Sequence, residues 1–129
     1  MQKASESLNE FIGYLAVEHG CTYGPINVPV GGTAMVVENS DFRIVLTICE
    51  NHIGKWVLKV EDIRVNPELR GHGIGTFLID NLKILSDSKN VPIGLWVKED
   101  RLDLVGFYHR RGFKIQFRNK DFWMEYKSI

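Results

Sequence analysis

Gly71, Gly73 and Gly75 fall within one short stretch, Arg70-Gly71-His72-Gly73-Ile74-Gly75, between a β-like run and a helix-like run. Glycines at such a junction strip side chains from the turn, so unpaired backbone N–H groups can converge on an anion at the positive end of a helix dipole. A phosphate or pyrophosphate suits that arrangement, and Arg70 adds a charge-assisted contact. The same residues also fit a plainer reading, in which glycine only allows a tight turn. The spacing is not that of a P-loop, since no Gly-Lys-Ser/Thr follows, nor the GxGxxG of a dinucleotide fold.

The second stretch with chemical potential is "GFYHRRGFKI", Gly106 to Ile115. The Tyr108 phenol can donate a proton to a leaving group if the fold aims it at a cleft. Packing as an amphipathic ring on a half-buried helix is the alternative. The basic run His109 to Arg111 reads as a solvated helix end that complements the dipole rather than as a nucleic-acid patch. His19, His52, His72 and His109 show no zinc-ligand spacing, and Cys21 and Cys49 form no CxxC pair. Both cysteines read as reduced thiols.

Such residues need elements to hold them. Leu8, Phe11, Ile12, Leu15 and Ala16 recur with helical spacing, which predicts an amphipathic helix from about Ser5 to His19 that ends at Gly20. The following "GCTYGPINVPVGG" reads as a long irregular connection. "TAMVVEN" and "DFRIVLTICE" predict a hairpin, and "KWVLKVEDIRV" a third antiparallel strand stopped at Asn66-Pro67. Ile74, Phe77, Leu78, Leu82 and Leu85 predict a helix to about Lys89, and "VPIGLWV" a strand buried on both faces. A short helix from about Leu102 to Arg111 has Asp100 or Asp103 to cap it and Gly112 to end it. "FKIQFR" and "DFWMEYK" predict a closing hairpin around Asn119-Lys120. The strands ending at Val65 and centred on Leu95 are then parallel neighbours joined by a helical crossover, with the glycine turn at the carboxyl end of the first.

A chain of 129 residues with 44% hydrophobic content fits one domain with a core of its own. Sixteen basic and sixteen acidic side chains cancel, so no global positive field gathers nucleic acid and an anionic ligand must be held locally. No apolar run approaches a membrane span, and the N-terminal residues lack a signal-peptide core. These features read as a cytoplasmic protein with no membrane partner.

In combination, the strand running into "IRVNPELRGHGIGTFLI", the helix, the strand "IGLWV" and then "FYHRRGF" resemble the GNAT superfamily of acyl-CoA-dependent N-acyltransferases. Residues 70–75 match its (Arg/Gln)-x-x-Gly-x-(Gly/Ala) pyrophosphate loop, and Phe107-Tyr108 with Gly112-Phe113 its FYxxxGF element. The resemblance runs from about Trp56 to Phe113. It implies an α/β (α+β) fold: a mixed, mostly antiparallel central sheet with one parallel, splayed strand pair and flanking helices, in a single domain over residues 1–129. It also implies acetyl-CoA as acyl donor, with pantetheine lying between the strands ending at Val65 and Val97. Backbone groups of Ile63, Arg64 and Val65 would bond its amides. The loop Arg70, Gly71, His72, Gly73, Ile74, Gly75, Thr76 would hold the pyrophosphate.

The chemistry implied is direct attack of a neutral amine on the thioester, with Tyr108 as the acid that protonates the leaving thiolate. Glu61 is the candidate base, directly or through a water; simple strand alternation puts it on the face of Ile63 and Val65, with Asp62 and Arg64 opposite. A solvated carboxylate is the other reading of Glu61, and Glu50, Glu99 and Asp100 are weaker candidates. Arg101 and Leu104 depart from the family's usual asparagine and alanine. The chain opens on a helix where most members open on a strand, which implies a trimmed member whose acceptor wall is partly absent or supplied by a partner chain. Tyr23 and Trp123 are candidate wall residues. A homodimer that covers an exposed β edge is expected, and the amine acceptor is not legible. The competing class is a catalytically silent CoA-binding or protein-interaction module on the same fold.

Overall fold

The computed structural model describes residues 1–27 and 32–127. Helix α1 (Gln2–His19) buries Leu8, Phe11, Ile12 and Leu15, and stops where Gly20 turns left-handed at φ 63°. Strand β1 (Thr22–Asn27) follows and pairs antiparallel with β2 (Thr33–Glu38), from Thr22↔Glu38 to Asn27↔Thr33. This corrects two expectations. Part of the stretch read as irregular is a strand, and the edge position beside the hairpin is filled from within the chain. Gly24 and Pro25 hide the signal in sequence; an edge strand tolerates proline because one side of it needs no ladder donor. Residues 28–31 of that stretch lie outside the described residues.

The β2–β3 turn is built by Asn39, whose Oδ1 accepts the N–H groups of Asp41 at 2.8 Å and Phe42 at 3.1 Å. It leads into β3 (Phe42–Glu50) and, through a second turn, β4 (Trp56–Val65). A 3₁₀ turn over Pro67–Leu69 precedes α2 (Ile74–Lys89), whose bounds are those the periodicity predicts. The rest is β5 (Ile93–Val97), α3 (Leu102–Arg110), β6 (Lys114–Asn119) and β7 (Asp121–Tyr126). Sequence order would put β6 beside β5, but the seven-stranded sheet runs β1-β2-β3-β4-β5-β7-β6. All pairings are antiparallel except β4 with β5.

The main core lies on one sheet face. Ile44, Leu46, Leu58, Val60, Ile93, Leu95, Val97 and Met124 meet α1 and α2 there, and Leu104, Val105 and Tyr108 of α3 pack at its margin. The opposite face carries a smaller cluster of Ala34, Val36 and Val45. Trp96 interrupts the buried run of β5, with 43% of its surface exposed on that second face.

Candidate active site

Gly71 and Gly73 adopt φ 84° and 83°, in the left-handed region that favours glycine, so turn geometry accounts for both. It does not account for Gly75. That residue lies in the first turn of α2 with no positive φ, and a Cβ there would meet nothing within 4 Å. Gly73 caps α2 without a side-chain hydrogen bond, and the amides of Ile74, Gly75 and Thr76 have no acceptor among the described residues. Arg70 makes no ion pair among the described residues and lines a cleft of about 330 Å³ with Val65, the glycines, Thr76 and Phe107. A second cleft of about 510 Å³ continues past Arg70 along Arg64 and Asn66. Uncapped helix amides beside a free guanidinium form an anion cradle.

This cradle stands at the open end of a splay. Strands β4 and β5 share only Leu58↔Ile93 and Lys59↔Gly94. Beyond Lys59 they part, and β4 is paired on its β3 side alone, so the other edge of Val60 to Val65 offers backbone groups without a ladder partner. Ile63, Arg64 and Val65 belong to that free edge.

A bulge lies in the same segment. Val45 pairs with Asp62 and Leu46 with Val60, which leaves Glu61 as the extra residue. Simple alternation therefore fails here. Val60 and Ile63 both pack toward the main core, whereas Glu61 joins Lys59 at 2.9 Å. Glu61 does not share the face of Ile63; the bulge changes the parity between them. Asp62, paired with Val45, holds Arg64 at 2.9 Å and lies close enough to Tyr108 to act on its phenol.

Tyr108 is half-buried on α3, with its ring at 5.1 Å from that of Phe107 and 5.4 Å from that of Phe113. Burial raises its pKa above the usual tyrosine value, Arg111 opposes the shift and Asp62 adds to it. The phenol therefore keeps its proton near neutral pH. It makes no hydrogen bond to another described residue. The other carboxylates are placed differently: Asp103 pairs with Arg101 through two 3.0 Å bonds instead of capping α3, and Glu99 reaches Arg118 at 3.7 Å. Glu50 and Asp100 are exposed. Among the described residues no His/Cys/Asp/Glu group could hold a metal ion, and both cysteines are free.

Arg111 is a site residue that the sequence reading missed. Instead of facing solvent at a helix end, its guanidinium donates to Thr76 Oγ1 at 2.7 Å and to the Phe107 carbonyl at 2.9 Å, and lies 3.6 Å over the Phe107 ring. It clamps the end of α3 to the first turn of α2. Nothing in the local pattern "HRR" signals this, because its partner Thr76 is remote in sequence.

The second sheet face holds a pocket of about 410 Å³, lined by Trp96, Phe117, Trp123, His52, Cys49 and Lys59 among others. It adjoins the Lys59↔Gly94 pair where the splay begins. A Cβ at Gly94 would collide with the Trp123 indole, so glycine is what lets that ring lie across the sheet. Trp123 is thus a pocket wall. Tyr23 lines a separate cleft along β1 with Pro25, Glu38 and Arg43, and the structure does not bring the two together.

No curated protein matches the chain in sequence. Solved structures share its fold. A Pyrococcus horikoshii protein superposes with TM-score 0.61 at 23% identity, over 74% of this chain and 65% of its own length. The PaiA N-acetyltransferase of Thermoplasma acidophilum, solved in complex with coenzyme A, matches 95% of this chain and 70% of its own, at TM-score 0.54 and 20% identity. A Bacillus subtilis acetyltransferase, solved in complex with CoA, gives 0.56 at 15% identity over 76% of this chain and 78% of its own. Residues 4–113 match the Acetyltransferase (GNAT) family, and with the splayed pair and the uncapped glycine turn in place, the chain belongs to that family.

Proposed function

We propose that the protein is an N-acetyltransferase that moves the acetyl group of acetyl-CoA to a primary amine. The observation that carries this reading is the set of unpaired amides at the uncapped start of α2, placed at the open end of the β4–β5 splay. The free edge of β4 at Ile63 to Val65 suits the pantetheine amides, as an added strand would. Arg70 and the amides from Gly71 to Thr76 suit the pyrophosphate, and the two relatives solved with CoA support that donor.

In the reaction, an ammonium first loses a proton to Glu61, directly or through a water. The neutral nitrogen attacks the thioester carbonyl and gives up its extra proton to solvent as the C–S bond breaks; the departing thiolate takes the Tyr108 proton, which solvent restores. Burial of Tyr108 supports that role by keeping the phenol protonated. The strand supports Glu61, since that carboxylate faces away from the core at the start of the splay, with the bulge beside it. We place the protein in the cytoplasm on its free cysteines. We also propose a homodimer across an exposed edge strand; every residue of β6 is exposed.

Purified protein with acetyl-CoA and a panel of amines, followed by thiol release, tests the reading. Turnover with at least one amine class and a thermal shift with CoA are expected. A CoA shift without turnover would point to a silent CoA-binding module, and no shift would remove the donor as well.

A further inference from the structure

The pocket on the second sheet face has a composition that selects a ligand. Trp96 and Trp123 lie with ring centroids 5.3 Å apart, Trp96 meets Phe117 at 6.3 Å, and Phe117 stacks on His52 at 5.4 Å with the planes 10° apart. Trp96 and Phe117 remain 43% and 41% exposed, an unusual surface for rings that could have been buried. Aromatic faces attract cations as well as apolar bodies.

Behind the rings stands Glu125, only 2% exposed. Its Oε2 accepts the Trp123 Nε1–H at 2.6 Å and the Asn51 Nδ2–H at 2.9 Å, and both donors belong to pocket-lining residues. Its Oε1 is buried without a partner among the described residues. No lysine or arginine pairs with it among the described residues. A buried carboxylate held only by neutral donors costs free energy that a nearby cation would offset. Glu50 adds negative charge to the lining, and the one cation of the lining, Lys59, is already engaged by Glu61.

We infer that this pocket takes the acceptor, and that the acceptor is a compact primary ammonium carried on an apolar, aromatic body. This rests on the acetyl-transfer reading only for what happens next to the nitrogen; binding itself does not require CoA. The body would lie among Trp96, Trp123 and Phe117, with the ammonium toward Glu125, which stands opposite Gly94 where the splay begins. A polyamine's thin chain would leave most of the ring faces uncovered. An extended peptide would leave the ring box largely unfilled.

The test is a titration of the full chain by tryptophan fluorescence, without and with CoA, using 2-phenylethylammonium, the neutral 2-phenylethanol, spermidine and a glycine-initiated tetrapeptide. Saturable binding of 2-phenylethylammonium, about tenfold tighter than the alcohol, is expected. Glu125→Gln should erase most of that difference while sparing the alcohol, and Trp96→Leu should weaken both. Equal affinity for amine and alcohol, tighter binding of spermidine or peptide, or no binding of any probe would overturn the inference. A CoA thermal shift that persists through those failures leaves the acetyl-transfer reading intact. Saturable amine binding with no CoA shift would do the reverse.

Discussion

Tyr108 on α3 and Arg111, which caps that helix, do different work. Tyr108→Phe removes the hydroxyl proposed as the proton donor and leaves the ring packing against Phe107 and Phe113 in place. Turnover should fall about a hundredfold with the CoA-induced thermal shift unchanged, as thiol release and melting curves would report. Arg111 touches the anion cradle through Thr76 rather than through the reacting atoms, which makes it a positioning residue. Arg111→Ala should weaken CoA affinity about tenfold by calorimetry, and Arg111→Lys should recover only part of it. A lysine keeps the charge, but it cannot bond Thr76 and the Phe107 carbonyl while lying flat over the ring.

At the scale of elements, the turn into α2 separates two explanations for its glycines. Gly73→Ala forces a left-handed alanine and should cost about 1–2 kcal/mol of stability. Gly75→Ala puts a methyl group into open space on a helix, and should raise stability by about 0.5–1 kcal/mol. If the bare Cα at Gly75 exists for a ligand, this more stable variant should bind CoA more weakly; equal CoA affinity by calorimetry would return that glycine to chance. The β4 bulge matters on the same scale. Glu61 stays on the Lys59 side while the bulge returns Ile63 to the core side, so one strand presents a carboxylate on one face and an unpaired edge at its rim.

Over the whole molecule, α1 and α2 cover one sheet face and leave the other for the ring-lined pocket. The helical layer is tied to β7 by Tyr126, whose hydroxyl donates to Asp87 of α2 at 2.6 Å. That bond to a carboxylate, helped by desolvation, pushes the Tyr126 pKa up to about 12 from an ordinary value of 10.0. A raised acid pKa in the folded state means the contribution is complete below pH 10 and fades as pH rises toward 12. Stability measured by urea denaturation should therefore decline through that alkaline window. Tyr126→Phe should be less stable at pH 8 and flatter above 10. Because this hydroxyl is mostly solvated, the effect should be small.

Much of the frame is legible in the chain itself. The bounds of α2, the left-handed stop of α1 at Gly20 and the end of β4 before Asn66-Pro67 follow from periodicity and from glycine and proline, which act on their own backbone. The glycine turn into α2 and the place of Tyr108 on α3 are local features and are legible for the same reason. Tertiary structure alone decided the rest. β1 exists because β2 offers an edge to a segment of poor strand propensity, and the bulge at Glu61 arises from the register with β3. Arg111 turns inward because Thr76 is there, and Trp96, Phe117 and Trp123 become one pocket with Glu125 behind it only because β7 enters the sheet between β5 and β6. Each depends on a partner remote along the chain, and no local pattern carries the free energy of a contact that distant residues supply.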